Sequence, residues 1–174
     1  MSKYSTSSQT LRQGSVLHVT DSSATMMSAS DIRLNDWAAT TMKAYVSAKF
    51  AGDDNEETIE HLCQAAERAG FTVTCTIRDY DDFGRDGDQV EPLVEYIFAK
   101  IEEAEIVLID VTDKGMGLGV EAGYAVANDK PVVLLVTHDA DVSPIMEKLA
   151  LRIIPYQGFE DLTQQLSALR TAQS

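Results

Sequence analysis

The stretch GMGLGVEAGYA, residues 115–125, sets three glycines at alternating positions ahead of a carboxylate, Glu121. Glycine-rich turns entering a helix usually hold phosphate, because bare backbone N–H groups and the positive helix end attract anions. A negative side chain at such a place calls for another use. In the first turn of a helix, Glu121 is expected to be ionised and accessible, since the helix N-terminus favours its charge. That would make it a nucleophile or base suited to an anomeric carbon, where a carboxylate stabilises an oxocarbenium-like transition state and can capture it covalently. On position alone, a solvent-facing Glu favoured by the helix dipole fits as well.

The glycines do not suit a nucleotide-cofactor loop. A dinucleotide fingerprint needs GxGxxG after the first strand, and a Walker loop ends in GK[ST]; here the pattern is GxGxGxxxG and follows the third strand. Gly119 and Gly123 could equally serve close packing in a tight strand-to-helix turn. The three histidines and two cysteines show no CxxC or HExxH spacing, so Cys63 and Cys75 are expected to be reduced structural thiols, and no metal or cofactor is expected.

Several elements must position Glu121. KAYVSAKF, from Lys43, reads as a first strand, and EETIEHLCQAAERAGF as an amphipathic helix with Ile59, Leu62, Cys63 and Ala66 on one face. FTVTCTI reads as a second strand, and RDYDDFGRDGD, residues 78–88, as a long acidic loop. QVEPLVEYIFAKIEEAE is a helix with Pro92 tolerable in its first turn, and IVLID is a strand apolar enough to be buried on both faces. A helix over Leu118–Asp129, the strand KPVVLLVT, the short helix SPIMEKLA, the strand LRIIPY and the helix FEDLTQQLSALR complete the alternation. The pattern predicts an α/β fold: a doubly wound five-stranded parallel sheet, flavodoxin/Rossmann-like, with helices on both faces. Ligands of such sheets bind beyond the carboxyl ends of the strands, where the strand order reverses. That rule selects Tyr45, Ser47 and Lys49 after the first strand, Asp110 and the glycine turn after the third, and THDADVSPIM after the fourth.

The bulk properties narrow the substrate. The formal net charge is -14, and residues 1–41 hold three basic side chains (Lys3, Arg12, Arg33) against three acidic ones (Asp21, Asp31, Asp36), so the excess acidity lies in the remainder. Such a surface repels duplex nucleic acid and anionic membranes and leaves a small ligand in a local pocket. Residues 1–41, rich in Ser and Thr, are expected to be a disordered or loosely docked tail, with 42–174 the folded domain. A short helix docking Trp37 onto the domain is the competing reading. The start MSKYSTSSQT lacks the hydrophobic stretch of a secretory signal, and no apolar run reaches the roughly 18 residues of a membrane span. A cytoplasmic protein is expected.

GLGVEAGYAVANDKPVVLL, preceded by AEIVLIDVT, resembles the nucleoside 2-deoxyribosyltransferase superfamily, which includes the 2'-deoxynucleoside 5'-phosphate N-hydrolases. The likeness is most specific over residues 105–136 and extends loosely from Lys43 to about Leu169. It implies cleavage of the N-glycosidic bond of a nucleoside or nucleoside 5'-monophosphate, by hydrolysis or base exchange, with Glu121 attacking C1' and Tyr45 orienting it. It further implies that Gly117 and Gly119 line the sugar or phosphate side. Ser143 would reach the 5'-phosphate of a neighbouring subunit, which requires at least a homodimer. The family's acid on the helix before the third strand aligns with Ile97, leaving Glu95, Glu102 and Asp113 as nearby substitutes, and Gly115 replaces a second Asp. Two other readings follow: a nucleotide-sensing module that has lost turnover, and a relative of the TIR-type NAD glycohydrolases.

Overall fold

The computed structural model describes residues 41–84 and 90–171. The expected N-terminal tail, residue 41 apart, and the part of the acidic loop at 85–88 lie outside them. Five strands form one parallel sheet: β1 (Met42–Ser47), β2 (Phe71–Thr74), β3 (Ile106–Asp110), β4 (Val132–Thr137) and β5 (Arg152–Tyr156). Their order, β2-β1-β3-β4-β5, is the expected flavodoxin-like one and reverses between β1 and β3.

Among the described residues, six helices connect and cover the sheet: α1 (Glu56–Arg68), α2 (Thr76–Asp79), α3 (Val90–Glu103), α4 (Met116–Ala127), α5 (Pro144–Leu149) and α6 (Phe159–Thr171). One face carries α1 and α6, where Ile59, Leu62 and Cys63 meet Leu162 and Leu166 over Ala44, Val46 and Leu108. The other carries α3, α4 and α5, where Ile101, Leu118, Ala122 and Met146 pack over Tyr45, Val107 and Ile109. Successive strand residues point to opposite faces. Hence Tyr45 faces α3 and α4 while Val46 faces α1. Every residue of β3 is buried, the outcome its unbroken apolar run implies for a central parallel strand.

Among the boundaries that differ from the sequence reading, two bear on the site. FTVTCTI does not continue as a strand: β2 ends at Thr74 and the chain turns into the single turn α2. β2 is an edge strand paired only with β1, so little holds its β-branched residues in line. The Asp79 carboxylate accepts the Cys75 N–H at 2.8 Å, and the Asp79 N–H donates to the Cys75 carbonyl at 2.7 Å. Those two local bonds favour the helical turn, and Arg78 and Asp79 belong to it rather than to an irregular loop.

The second difference is that α4 begins at Met116, after an extended Gly115. Glu121 is therefore in its second turn, away from the helix end that was expected to keep it charged.

Candidate active site

Tyr45 and Ser47 leave β1 on the α3/α4 face, and Glu121 descends from α4 to meet them. Tyr45 and Ser47 are 2 % and 4 % exposed, so their hydroxyls are fixed by packing. The Tyr45 hydroxyl shares a 3.1 Å hydrogen bond with Thr76 Oγ1 of α2. Burial raises the pKa of Tyr45, and the neighbouring Glu121 carboxylate adds to that. Tyr45 stays a neutral hydroxyl.

Glu121 contradicts the expectation of an accessible, dipole-stabilised carboxylate. Its Oε2 is buried with no hydrogen-bond partner. Burial pushes its pKa up to about 7, although the Ser47 and Tyr45 hydroxyls pull the other way. The physical reason is its place on α4: Glu121 lies three residues after Leu118 and four before Ala125, on the helix face that packs on the sheet rather than the one turned to solvent. A buried carboxylate oxygen without a partner costs stability. It is the sort of cost found where chemistry needs the group free.

Around Glu121 lies a cavity of about 70 Å³, whose polar lining comes from Tyr45, Ser47, Thr76 and Asp81 as well as Glu121 itself. Ile97 of α3 forms part of its apolar wall, so the position where the family resemblance expects an acid does reach the cavity. Helix α3 is held there by stacking on both sides: Phe98 on Tyr124 at 3.9 Å between ring centroids, and Tyr96 on Tyr80 at 4.2 Å. The Tyr124 hydroxyl also donates to Glu102, which engages that acid on the α3–α4 surface. Glu95 is exposed, and neither it nor Glu102 lines the cavity.

The remaining predicted residues fall in two other depressions. Gly119 and Ser143 line a groove of about 390 Å³ between the start of α4 and α5, together with Asp113, Met116 and Ile145. Gly117 is exposed nearby on the first turn of α4. A methyl group on Gly117, Gly119 or Gly123 would meet nothing within 4 Å, so close packing inside this chain does not require these glycines. Lys49 and Asp110 line a separate cavity of about 310 Å³ on the α1/α6 face. There the Tyr156 hydroxyl donates to Asp110 Oδ2 at 2.7 Å and the Thr112 N–H to Oδ1 at 3.0 Å. Burial raises the Asp110 pKa, and these two donors offset part of the effect. The structure thus brings Tyr45, Ser47 and Glu121 together and sets Lys49 and Asp110 in a different cavity.

Sequence reasoning missed Thr76 and Asp81. Both depend on the edge strand breaking early into α2, and no spacing in FTVTCTIRDYDD signals that break. Among the described residues, no group of three or more His, Cys, Asp or Glu side chains could hold a metal ion. No helix among them is long and apolar enough to cross a membrane.

No family model matches the chain. A protein of Thermofilum pendens, provisionally named 2'-deoxynucleoside 5'-phosphate N-hydrolase 1, is 24% identical over 135 residues, 74% of this chain and 94% of that protein. Among solved structures, a 2-deoxyribosyltransferase of Bacillus psychrosaccharolyticus superposes with a TM-score of 0.54 at 17% identity, covering 71% of this chain and 95% of the other. A CMP N-glycosidase of Clostridium botulinum gives 0.50 at 17% identity, with 71% and 97% covered. Those two likenesses speak to the fold, which is the same five-stranded parallel sheet with its flanking helices. The chain is thus similar in sequence to a protein named for 2'-deoxynucleoside 5'-phosphate N-hydrolysis and similar in fold to a 2-deoxyribosyltransferase and a CMP N-glycosidase.

Proposed function

We propose that this protein cleaves the N-glycosidic bond of a deoxynucleoside, nucleoside or nucleoside 5'-monophosphate through a covalent intermediate on Glu121. The names of its relatives, an N-hydrolase, an N-glycosidase and a deoxyribosyltransferase, share that bond and differ in what replaces the base. The observation that carries the reading is the buried Glu121 Oε2, unpartnered in a cavity at the switch point of the sheet. An oxygen already stripped of water meets a developing oxocarbenium ion without first losing a hydration shell.

In the first step a Glu121 oxygen bonds to C1' as the C1'–N bond breaks, and the bond's electron pair leaves with the base. In the second, water or an acceptor base attacks C1' and frees the carboxylate. Tyr45, held by Thr76, orients Glu121, and Ser47 sets a second hydroxyl beside it. The glycine face of α4 leaves room for the sugar or its phosphate, and Ser143, in the groove beside α5, serves the phosphate across a homodimer contact.

Chromatography of deoxynucleoside 5'-monophosphates incubated with the protein, with and without an acceptor base, tests the reading. Free base or exchanged nucleotide is expected from wild type and neither from Glu121→Ala. Absence of both from a broad panel of nucleosides and monophosphates contradicts it. Ile97 in the cavity wall favours one second reading, a binding module without turnover. That reading expects ligands to raise the melting temperature with no base released, and binding to survive Glu121→Gln.

A further inference from the structure

Expelling a nucleobase as its anion is slow, and a positioned acid that protonates the leaving nitrogen or its conjugated oxygen typically contributes about 10²–10⁴-fold. Ile97 cannot be that acid. Of the polar groups lining the Glu121 cavity, Tyr45 and Thr76 bond to each other, and the hydroxyls of Tyr45 and Ser47 act on Glu121. One polar lining residue remains, Asp81.

Asp81 is half-buried and lies two residues after the end of α2, the turn that also supplies Thr76. Its N–H donates to the Thr76 carbonyl at 3.0 Å, and the preceding Tyr80 stacks on Tyr96 of α3 at 4.2 Å. The backbone on either side is thus tied both to the Tyr45 partner and to the helix that carries Ile97. The contrast with Asp79 two residues earlier is instructive. Asp79 is engaged in the fold, accepting from Arg78 Nε at 2.6 Å and from the Cys75 N–H at 2.8 Å. The Asp81 carboxyl has no such structural engagement among the described residues.

We infer that Asp81 is the acid that serves the leaving base, a role that rests on the glycosidase reading of Glu121. As the Glu121 oxygen bonds to C1' and the C1'–N pair passes to the base, the acid form of Asp81 gives its proton to the base, which departs neutral. In the second step the Asp81 carboxylate takes a proton from the attacking water, the new C1'–OH forms and the Glu121 ester bond breaks, restoring both groups.

The test separates leaving groups by their need for a proton. Wild type, Asp81→Asn and Glu121→Ala are assayed on deoxynucleoside 5'-monophosphates and on 4-nitrophenyl 2-deoxyriboside 5'-phosphate, whose nitrophenolate departs unprotonated, with melting curves to establish that each variant is folded. Asp81→Asn is expected to lose at least about 100-fold on the nucleotides and less than about 10-fold on the nitrophenyl substrate in kcat/KM, which reads expulsion of the leaving group and not the later attack of water. Glu121→Ala is expected to lose both activities. Equal losses of Asp81→Asn on both substrates, or full activity on the nucleotides, overturn the inference and leave the Glu121 reading standing. A wild type that releases nitrophenolate but no base from any nucleotide also overturns it alone. A wild type that releases neither overturns the Glu121 reading, and the inference with it.

Discussion

At Glu121 two demands conflict: the carboxylate must be ionised to attack, yet burial holds its pKa near 7. On a substrate whose leaving group departs unprotonated, such as 4-nitrophenyl 2-deoxyriboside 5'-phosphate, kcat/KM is therefore expected to rise with pH through a limb near 7 across a buffer series. The same shift makes a stability prediction. The folded-state pKa lies above the ordinary 4.5, so between those values the folded state binds more protons than the unfolded one. Stability from this group is fully present below about 4.5 and is lost as pH rises through about 7. Glu121→Gln should melt like wild type at pH 4 and be more stable by up to about 2 kcal/mol at pH 8, while its base release falls by at least about 10³-fold. A Glu121→Gln protein no more stable than wild type at pH 8 would mean that the carboxylate is not desolvated. Tyr45→Phe keeps the packing and removes the bond to Thr76, so it should cost about 1 kcal/mol in denaturant melts and lower kcat more than it raises KM.

At the scale of elements, the chain shows plainly which parts of a site a sequence can reveal. Strands buried on both faces announce themselves: IVLID runs Ile106–Asp110, with the boundaries its composition suggests. Helix faces are nearly as legible, since Ile59, Leu62, Cys63 and Ala66 are all buried along α1. The edge strand is not, because β2 stops where two bonds from Asp79 outweigh β-branched propensity, and that decision carries Thr76 and Asp81 to the cavity. Likewise, the sequence reading places Glu121 in an exposed first turn, whereas it shares the buried face of α4 with Leu118 and Ala125 and its Oε2 is buried. The type and place of the key residue could be read from sequence. Its environment depends on which face of α4 packs on the sheet.

The glycines of α4 invite a prediction at this same scale. Gly119 sits inside a helix with open space where a methyl group would go. Gly119→Ala should therefore stabilise the protein by about 0.5–1 kcal/mol, because glycine is the poorer helix former. If the bare face exists to let substrate approach, the same variant should raise KM. Calorimetry and steady-state kinetics on one preparation read both effects, and a stabilised variant with unchanged KM would remove that face from the substrate's path.

For the whole molecule, the net charge of -14 sets the terms on which an anionic substrate arrives. Like charges slow encounter, and salt screens them over roughly 10 Å at 0.1 M. With a deoxynucleoside 5'-monophosphate, kcat/KM should rise as salt increases from low levels, whereas with the uncharged nucleoside it should change little. A fall with the monophosphate would instead mean that local cations such as Lys49 and Lys114 dominate the approach.

The central claim is that Glu121 bonds to a sugar carbon, and intact-protein and peptide mass spectrometry tests it most directly. Incubation with a 2'-deoxy-2'-fluoro-arabino nucleoside, with and without a 5'-phosphate, should slow breakdown of the glycosyl ester. The account predicts a protein heavier by one fluorinated sugar, the added mass on the peptide containing Glu121, and no adduct in Glu121→Ala. Base release from these nucleosides with the sugar on another residue, or base release undiminished in Glu121→Ala, would contradict it.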